Sequence, residues 1–424
     1  MSCSTLHFVL LNHANVTKPN GSQKVNVNSF DETNRLKSGR LNLSFFSHSF
    51  SFCKNTIQMP KEAKFLRGNG DKDEMKERNL DIVNWSQVGR TIDGEERLDV
   101  SGEAVSINDV GNIVAVGSRH NDGTGPIDHN VGNVRVYSYN GTDWSQMGQD
   151  IDGEYSQDYF GHTLQLSGRG LVVAVGAPEY DVLDPALEDA GYVRILEYQA
   201  FSDTWVQKGE PIVGEGIGDS NGFSVALSFD GDIVAIGAPD NDNSGNNIGY
   251  ARVFKFLSGQ WVQLGFDIDG ESAHDKSGYA VDLSDDGTII AVGATMNDAA
   301  PGDGYYDAGH VRVWKWNGAT WLQMGGDVDG YYSGEHKGYS VALSSDGFTL
   351  AVGAPTDCDS KGYVEVFTYN TSTSSWEIKG SRLNGVSFDD RYGEAVSLSN
   401  DGNRLAVGSP YSEESGKNLN PIQL

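Results

Sequence analysis

The sequence predicts an all-β protein, a β-propeller built from four-stranded antiparallel blades. Two short markers recur in step along the chain, at intervals of 55 to 61 residues. Between the markers lie short apolar or alternating runs separated by glycine-rich turns, which indicate strands. After residue 80 no helical periodicity of useful length is present. A four-stranded unit repeated at this spacing is typical of a propeller, whereas solenoid coils are usually shorter.

The two markers are independent of each other, so their common spacing indicates an internal repeat. The six copies of each marker predict six recognisable blades. The Trp-x-x-x-Gly phrase begins at Trp85, Trp144, Trp205, Trp261, Trp321 and Trp376. The Ala-Val/Ile-Gly phrase begins at Ala115, Ala174, Ala235, Ala291, Ala351 and Ala406.

One unit shows the four predicted strands. The first strand, GYSVALS at 338–344, ends in an Asp-Gly turn, which favours a tight hairpin. The second, FTLAVGAP at 348–355, is a continuous apolar run, as expected of a strand buried on both faces. The third resembles GHVRVWKW at 309–316, and the fourth TWLQMGGDVDG at 320–330. Because such a sheet has two apolar faces, we expect the blades to pack face to face around an axis.

The two ends of the chain depart from the repeat. Residues 1–80 are predicted to be a disordered or poorly ordered leader, and residues 81–424 to form the propeller. The last blade is incomplete, because the chain after 393–410 degenerates into GKNLNPIQL, where Pro421 disfavours a central strand. We expect the strand around Trp85 to close this blade. A seventh blade is the alternative if the sequence is incomplete.

The repeat resembles the FG-GAP repeat of the N-terminal propeller of integrin α subunits. This resemblance implies a seven-bladed fold, surface exposure, and adhesion to a protein or glycan partner. It also implies calcium loops before the second strand, but the tight turns found there are too short to supply six to eight oxygen ligands. The matching residues are Phe160-Gly161 with Gly176-Ala177-Pro178, Tyr392-Gly393 with Gly408-Ser409-Pro410, Gly237-Ala238-Pro239, and Gly353-Ala354-Pro355. The aromatic moves to the following position at Phe223, Tyr279 and Tyr339.

One face of the predicted propeller is acidic. The loops between second and third strands, and those between blades, share this face and together hold 30 Asp and Glu against six Lys and Arg. Binding residues commonly lie on such loops. A recurring Asp-x-Asp-Gly phrase supplies candidate binding acids at this face, and the alternative is a strand end and turn repeated with the blade. The candidates are Asp152, Glu154, Asp269, Glu271 and Asp329.

The segment DNDNSG at 240–245 begins like a calcium loop, which makes Asp240, Asp242 and Ser244 candidate Ca²⁺ ligands. Ala251 stands where the final acidic ligand is expected. Catalytic phrases such as G-x-S-x-G, H-E-x-x-H and the P-loop are absent, so no catalytic residue is assigned. Histidines in loops or at strand starts are predicted to be surface residues: His120, His129, His274, His310 and His336.

Composition narrows the partners and the location. The net charge of −28 argues against nucleic acid and anionic membranes. No apolar run approaches the roughly 20 residues of a membrane span, so no membrane insertion is expected. Only Cys358 of three cysteines lies in the repeats, which excludes a disulfide framework there. The sequons at Asn84, Asn140 and Asn370 are candidate N-glycosylation sites and favour an extracellular or cell-surface protein, although no convincing signal peptide is present.

These observations favour a non-catalytic, adhesion-type propeller that recognises a protein or carbohydrate ligand through its acidic loop face. Two alternatives stay open. One is a hydrolase or lyase, for example a glycan-active hydrolase, acting near the central channel. The other is a structural or matrix protein that binds Ca²⁺ weakly.

Overall fold

The computed structural model describes residues 5–6, 87–123, 130–183, 186–242, 246–298, 306–356, 360–414, 417–418 and 422–423. Within these ranges the chain forms only strands and turns, and no helix could cross a lipid bilayer. Five sheets repeat one antiparallel order, from a first strand beside the axis to a fourth strand at the outside. The predicted all-β propeller of four-stranded blades is therefore confirmed.

The blades follow one another along the chain, and their four main strands have these bounds. Blade 1 contains Val105–Ile107, Ile113–Ser118, Asn133–Tyr139 and Trp144–Gln146. Blade 2 contains Thr163–Leu166, Val172–Ala177, Tyr192–Gln199 and Thr204–Gln207. Blade 3 contains Ser224–Leu227, Ile233–Ala238, Tyr250–Leu257 and Gln260–Gln263. Blade 4 contains Ser277–Leu283, Ile289–Ala294, His310–Trp316 and Trp321–Gln323. Blade 5 contains Ser340–Leu343, Thr349–Ala354, Tyr363–Asn370 and Ser375–Ile378.

Each of these sheets has a fifth, two-residue strand that the sequence did not predict. The predicted fourth strand at 320–330 is divided at Gly325, which has a positive φ of 84° and packs against Trp376. The chain then pairs again with the third strand, further towards the loop face. The five short strands are Ile151–Asp152, Ile212–Val213, Ile268–Asp269, Val328–Asp329 and Leu383–Asn384.

The sixth blade closes the ring. It contains Ala395–Leu398 and Leu405–Gly408, and Ile422–Gln423 pairs with the latter directly after Pro421. The side chain of Asn400 donates a hydrogen bond to Asp109 of blade 1 at 3.2 Å. The predicted closing strand around Trp85 and nearly all of the leader lie outside the described residues. Three further short pairs join Thr5–Leu6 to Ile92–Asp93, Val182–Leu183 to Ala186–Leu187, and Glu413–Glu414 to Lys417–Asn418.

The repeated tryptophans join neighbouring blades. The indole N–H of Trp205 donates to the carbonyl of Met147 at 2.8 Å, three residues after the tryptophan of the preceding blade. Trp261 makes the same bond to Lys208 at 2.6 Å. A buried indole N–H needs such a partner, which explains why the marker recurs once per blade. Trp144, Trp321 and Trp376 repeat the arrangement.

The glycine of the Ala-Val-Gly marker lets adjacent blades touch near the axis. A Cβ atom on Gly237 would overlap the carbonyl oxygen of Gly278 in the next blade. Only glycine permits this backbone approach. The same overlap would occur at Gly117, Gly176, Gly293 and Gly353.

Candidate functional site

The centre of the propeller is too narrow to admit a ligand. The six first strands surround an axial cavity of about 20 Å³, roughly the space of one water molecule. Polar side chains that line it, such as Gln165 and Asp282, accept hydrogen bonds from backbone N–H groups of Leu227 and Leu343 in the next blade, at 2.8 and 2.7 Å. These polar groups thus hydrogen-bond to backbone N–H groups of the neighbouring inner strands.

Six equivalent residues surround the mouth on the face that carries the long loops. Each follows a glycine of positive φ that turns the chain into a first strand. Successive aromatic members lie about 5 Å apart across neighbouring blades, at the starts of the innermost strands. We call these residues the mouth ring: Glu103, His162, Phe223, Tyr279, Tyr339 and Glu394.

Four mouth-ring members form an aromatic arc. Ring centroids are separated by 5.3 Å for His162 and Phe223, 4.9 Å for Phe223 and Tyr279, and 5.0 Å for Tyr279 and Tyr339. Phe223 and Tyr279 are half-buried, whereas His162 and Tyr339 are buried. Burial raises the pKa of Tyr339 to about 12, so its hydroxyl keeps its proton at neutral pH.

The remaining two members are glutamates on the blades that close the ring. Their side chains are 8% and 6% exposed for Glu103 and Glu394. Burial raises the pKa of both carboxyls, and that of Glu394 reaches about 7, although Arg391 at 3.5 Å opposes the shift. Arg119 lies 2.6 Å from Glu103 and likewise opposes the increase in its pKa. Two buried carboxyls with perturbed pKa values therefore lie next to arginines at the axis.

Cations also surround the mouth, which the count of loop acids did not predict. Arg391 lies over the Tyr411 ring at 5.1 Å. Arg119, 2.6 Å from Glu103, is a second cation at the mouth. The acidic loop face is consequently of mixed charge near the axis.

The structure pairs the candidate calcium ligands with protein donors. Asp240 forms an ion pair with Lys276 and accepts a hydrogen bond from Ser220 at 3.1 Å. Asp242 accepts a hydrogen bond from the Asn247 backbone N–H. Ser244 lies outside the described residues. Calcium binding at this loop stays a prediction, and it would have to displace these donors.

The recurring Asp-Gly phrases meet arginines of the following blade. Arg194 donates to the Asp152 carbonyl at 2.8 Å and lies 3.7 Å from the Glu154 carboxylate. Arg312 repeats the arrangement with the Asp269 carbonyl and lies 3.4 Å from Glu271. At Asp329 the carbonyl accepts from Lys337 at 2.9 Å instead. These contacts explain the repetition, and ligand binding by the five acids stays a prediction.

Two of the three candidate glycosylation sites lie in the described residues. Asn140 is exposed in the turn between third and fourth strands of blade 1. Asn370 ends the third strand of blade 5, is half-buried and donates to Glu377 at 2.8 Å. Asn84 lies outside the described residues. Modification of these residues stays a prediction.

The residues of the mouth ring could have been predicted from the sequence. Phe223, Tyr279 and Tyr339 stand out as aromatics displaced by one position from the FG phrase. Aligning all six repeats at the preceding glycine would have added His162 and the two glutamates. Among the predicted surface histidines that the structure describes, His310 contradicts the expectation outright, because its side chain is 1% exposed. His129 lies outside the described residues.

Comparison with known proteins adds one structural likeness. No protein-family model and no curated protein matches the chain. A solved chain from Bacteroides uniformis ATCC 8492, described as a "putative 6-phosphogluconolactonase", aligns with a TM-score of 0.48 and 11% identity. The alignment covers 76% of this chain and 83% of that chain.

The prediction that the chain is not an enzyme is wrong by this comparison, because a lactonase is a hydrolase. At this identity and TM-score the likeness assigns neither reaction nor substrate.

Proposed function

We propose that this protein is a hydrolase that acts on a carbohydrate at the mouth ring, with Glu394 as the proton donor and Glu103 as the second carboxylate. One observation carries the proposal. Two buried carboxyls of perturbed pKa occupy equivalent positions on neighbouring blades, each beside an arginine. Perturbed carboxyls in such a position are candidates for acid–base chemistry.

The environments of the two carboxyls suit different roles. A pKa of about 7 leaves much of Glu394 protonated near neutral pH, as a general acid requires. Glu103 is held against Arg119, which favours its ionised form. In glycoside hydrolysis the acid protonates the leaving oxygen as the C–O bond breaks. The second carboxylate attacks the anomeric carbon or takes a proton from the attacking water.

The aromatic arc supports a carbohydrate as the substrate class. Phe223 and Tyr279 present partly exposed rings on blades 3 and 4, across the mouth from the carboxyls of blades 1 and 6. Flat apolar rings with a few polar groups nearby are typical of small-molecule sites, and sugar rings stack on such surfaces. Because the two carboxyls are buried, we expect Arg391 and the exposed Tyr411 to move when substrate binds.

The FG-GAP relationship and an extracellular setting belong to this proposal. In blade 2, Phe160-Gly161 precedes the first strand, and Gly176-Ala177-Pro178 lies at the end of the second strand. The glycan that an adhesion propeller would recognise is here a substrate.

The test is a screen of nitrophenyl glycosides and oligosaccharides, followed by kinetics of Glu394→Gln and Glu103→Gln. We expect kcat to fall by about 100- to 10,000-fold in each, the range for loss of a general acid or base. The limb of the pH–rate profile near pH 7 should disappear in Glu394→Gln. Glu197→Gln, which alters an exposed acid on the third strand of blade 2, is the matched control and should keep activity.

The proposal fails if repurified protein hydrolyses no carbohydrate substrate. It also fails if Glu394→Gln retains the wild-type rate and pH profile. Turnover of lactones or esters alone would move the function to another hydrolase class.

A further inference from the structure

The buried His310 imidazole in blade 4 lacks a hydrogen bond where one is expected. Its Nε2 atom is buried without a hydrogen-bond partner among the described residues. Its Nδ1 atom is 3.9 Å from a carboxylate oxygen of Glu271 and 3.9 Å from one of Asp329. These separations are too long for hydrogen bonds. A polar ring 1% exposed and facing two carboxylates suggests that a ligand is shared between them.

Three potential metal-ligand atoms lie close together. One ring nitrogen of His310 and one oxygen each of Glu271 and Asp327 lie within 4.8 Å of one another. Ligands about 2.1 Å from a tetrahedral metal ion are about 3.4 Å apart. The Glu271 and Asp327 side chains are exposed, so small rotations would bring their oxygens to that spacing. A hydrogen bond from Gln323 to Asp327 at 2.5 Å orients the carboxylate beside the ring.

The local charge favours a cation. The carboxylates of Glu271, Asp327 and Asp329 outnumber the two cations beside them, which are Arg312, 3.4 Å from Glu271, and Lys337, 2.9 Å from the Asp329 carbonyl. A neutral imidazole offers a ring lone pair to a metal ion.

The other blades supply an internal comparison. The residue equivalent to His310 is tyrosine in blades 2, 3 and 5 and Asn133 in blade 1. In blade 1, the Asn133 amide donates to the Glu95 carboxylate at 3.3 Å, so the equivalent acid has a protein donor. Blade 4 has the equivalent acid, Glu271, and the equivalent arginine, Arg312. Its His310 lies 3.9 Å from Glu271, which is too far to donate a hydrogen bond.

We propose that His310, Glu271 and Asp327 bind a divalent transition-metal ion of the Zn²⁺ class, with Asp329 within reach as a further ligand. One imidazole with carboxylates suits such an ion, whereas Ca²⁺ takes six to eight oxygens and no nitrogen. The site is separate from the mouth ring and independent of the proposed activity. It joins the segment that precedes blade 4 to the segment that follows it, so bound metal stabilises the fold.

The test is calorimetric titration of the chelator-treated full chain with Zn²⁺, repeated with Co²⁺ and read by visible absorption. His310→Asn copies the residue of blade 1 and should lower the affinity of one site by at least about 10-fold, the smallest cost of losing even a ligand's supporting contact. It should also remove the rise in melting temperature that Zn²⁺ gives. His274→Asn changes an exposed histidine of positive φ in the same loop as Glu271 and should bind like wild type.

Equal Zn²⁺ affinity in wild type and His310→Asn would overturn the proposal, as would the lack of any Zn²⁺-dependent shift in wild type. If circular dichroism shows that His310→Asn is misfolded, Glu271→Gln provides the same comparison. Its side chain is 44% exposed and tolerates the change. Wild-type affinity in Glu271→Gln would then overturn the site.

Discussion

The Glu394 carboxyl should make the fold less stable as the pH rises, and replacing it with glutamine should remove that dependence. The carboxyl is buried at the mouth ring, and burial raises its pKa from the ordinary 4.5 to about 7. Glutamine has the same shape and stays neutral at every pH. The comparison therefore isolates the cost of an ionised carboxylate at this position.

The sign follows from proton binding. Below pH 4.5 the carboxyl is protonated in folded and unfolded chains alike, and its stabilising contribution is complete. As the pH rises, the unfolded chain releases the proton first, so stability falls until the pH passes about 7. A pKa of about 7 in place of 4.5 corresponds to about 3 kcal/mol. Glu394→Gln should gain about that much on wild type between pH 4 and pH 8.

Urea unfolding followed by tryptophan fluorescence measures the effect. The free energies of unfolding of wild type and Glu394→Gln are compared at each pH, so that other titrating acids cancel. Glu154→Gln, whose target side chain is 53% exposed, should show a flat difference. A difference between wild type and Glu394→Gln that does not change with pH would refute both the raised pKa and the role of Glu394 as proton donor.

Three further predictions concern the contacts that hold the blades together. Trp261→Phe should lower the free energy of unfolding by about 1–3 kcal/mol in urea, because it leaves the buried Lys208 carbonyl without its donor. Gly237→Ala should prevent soluble expression or lower the melting temperature strongly, since its Cβ would overlap the backbone of the next blade; wild-type stability would contradict this packing. Glu365→Leu should cost about 3–5 kcal/mol by chemical denaturation, because it leaves the Lys337 ammonium, 1% exposed, without its carboxylate at 2.8 Å.

Much of the fold was predictable because the complete blades make the same contacts with their neighbours. The tryptophan donates a hydrogen bond to the preceding blade, as Trp205 does to Met147. The glycine of the second strand leaves room for the backbone of the next blade, as Gly237 does. Both contacts recur once per unit, so both appear as periodic markers. The short fifth strands were not predicted because only two residues of each Asp-Gly motif pair with another strand. Their partner is the third strand, so the pairing depends on how far that strand extends.

The acidic loop face shows why a count of charges was insufficient. The glutamates of the Asp-Gly phrases meet arginines that come from the third strand of the following blade, as Glu154 meets Arg194. In the sequence these arginines are the polar members of an alternating strand. Their long side chains reach the loop face only after neighbouring blades have packed.

The sequence by itself determined the repeating unit, the number of recognisable blades and the residues that join most blades to their neighbours, because these interactions recur in all five complete blades. Only the tertiary structure decided which differences between repeats lie together. Closure of the ring makes blade 6, which carries Glu394, the neighbour of blade 1, which carries Glu103, through the hydrogen bond from Asn400 to Asp109. Packing of blade 4 turns His310 inward towards Glu271. Both candidate sites, the mouth-ring glutamates and the His310 cluster, thus lie at positions where the repeats differ in sequence. The conserved contacts between blades determine where these positions lie in the fold.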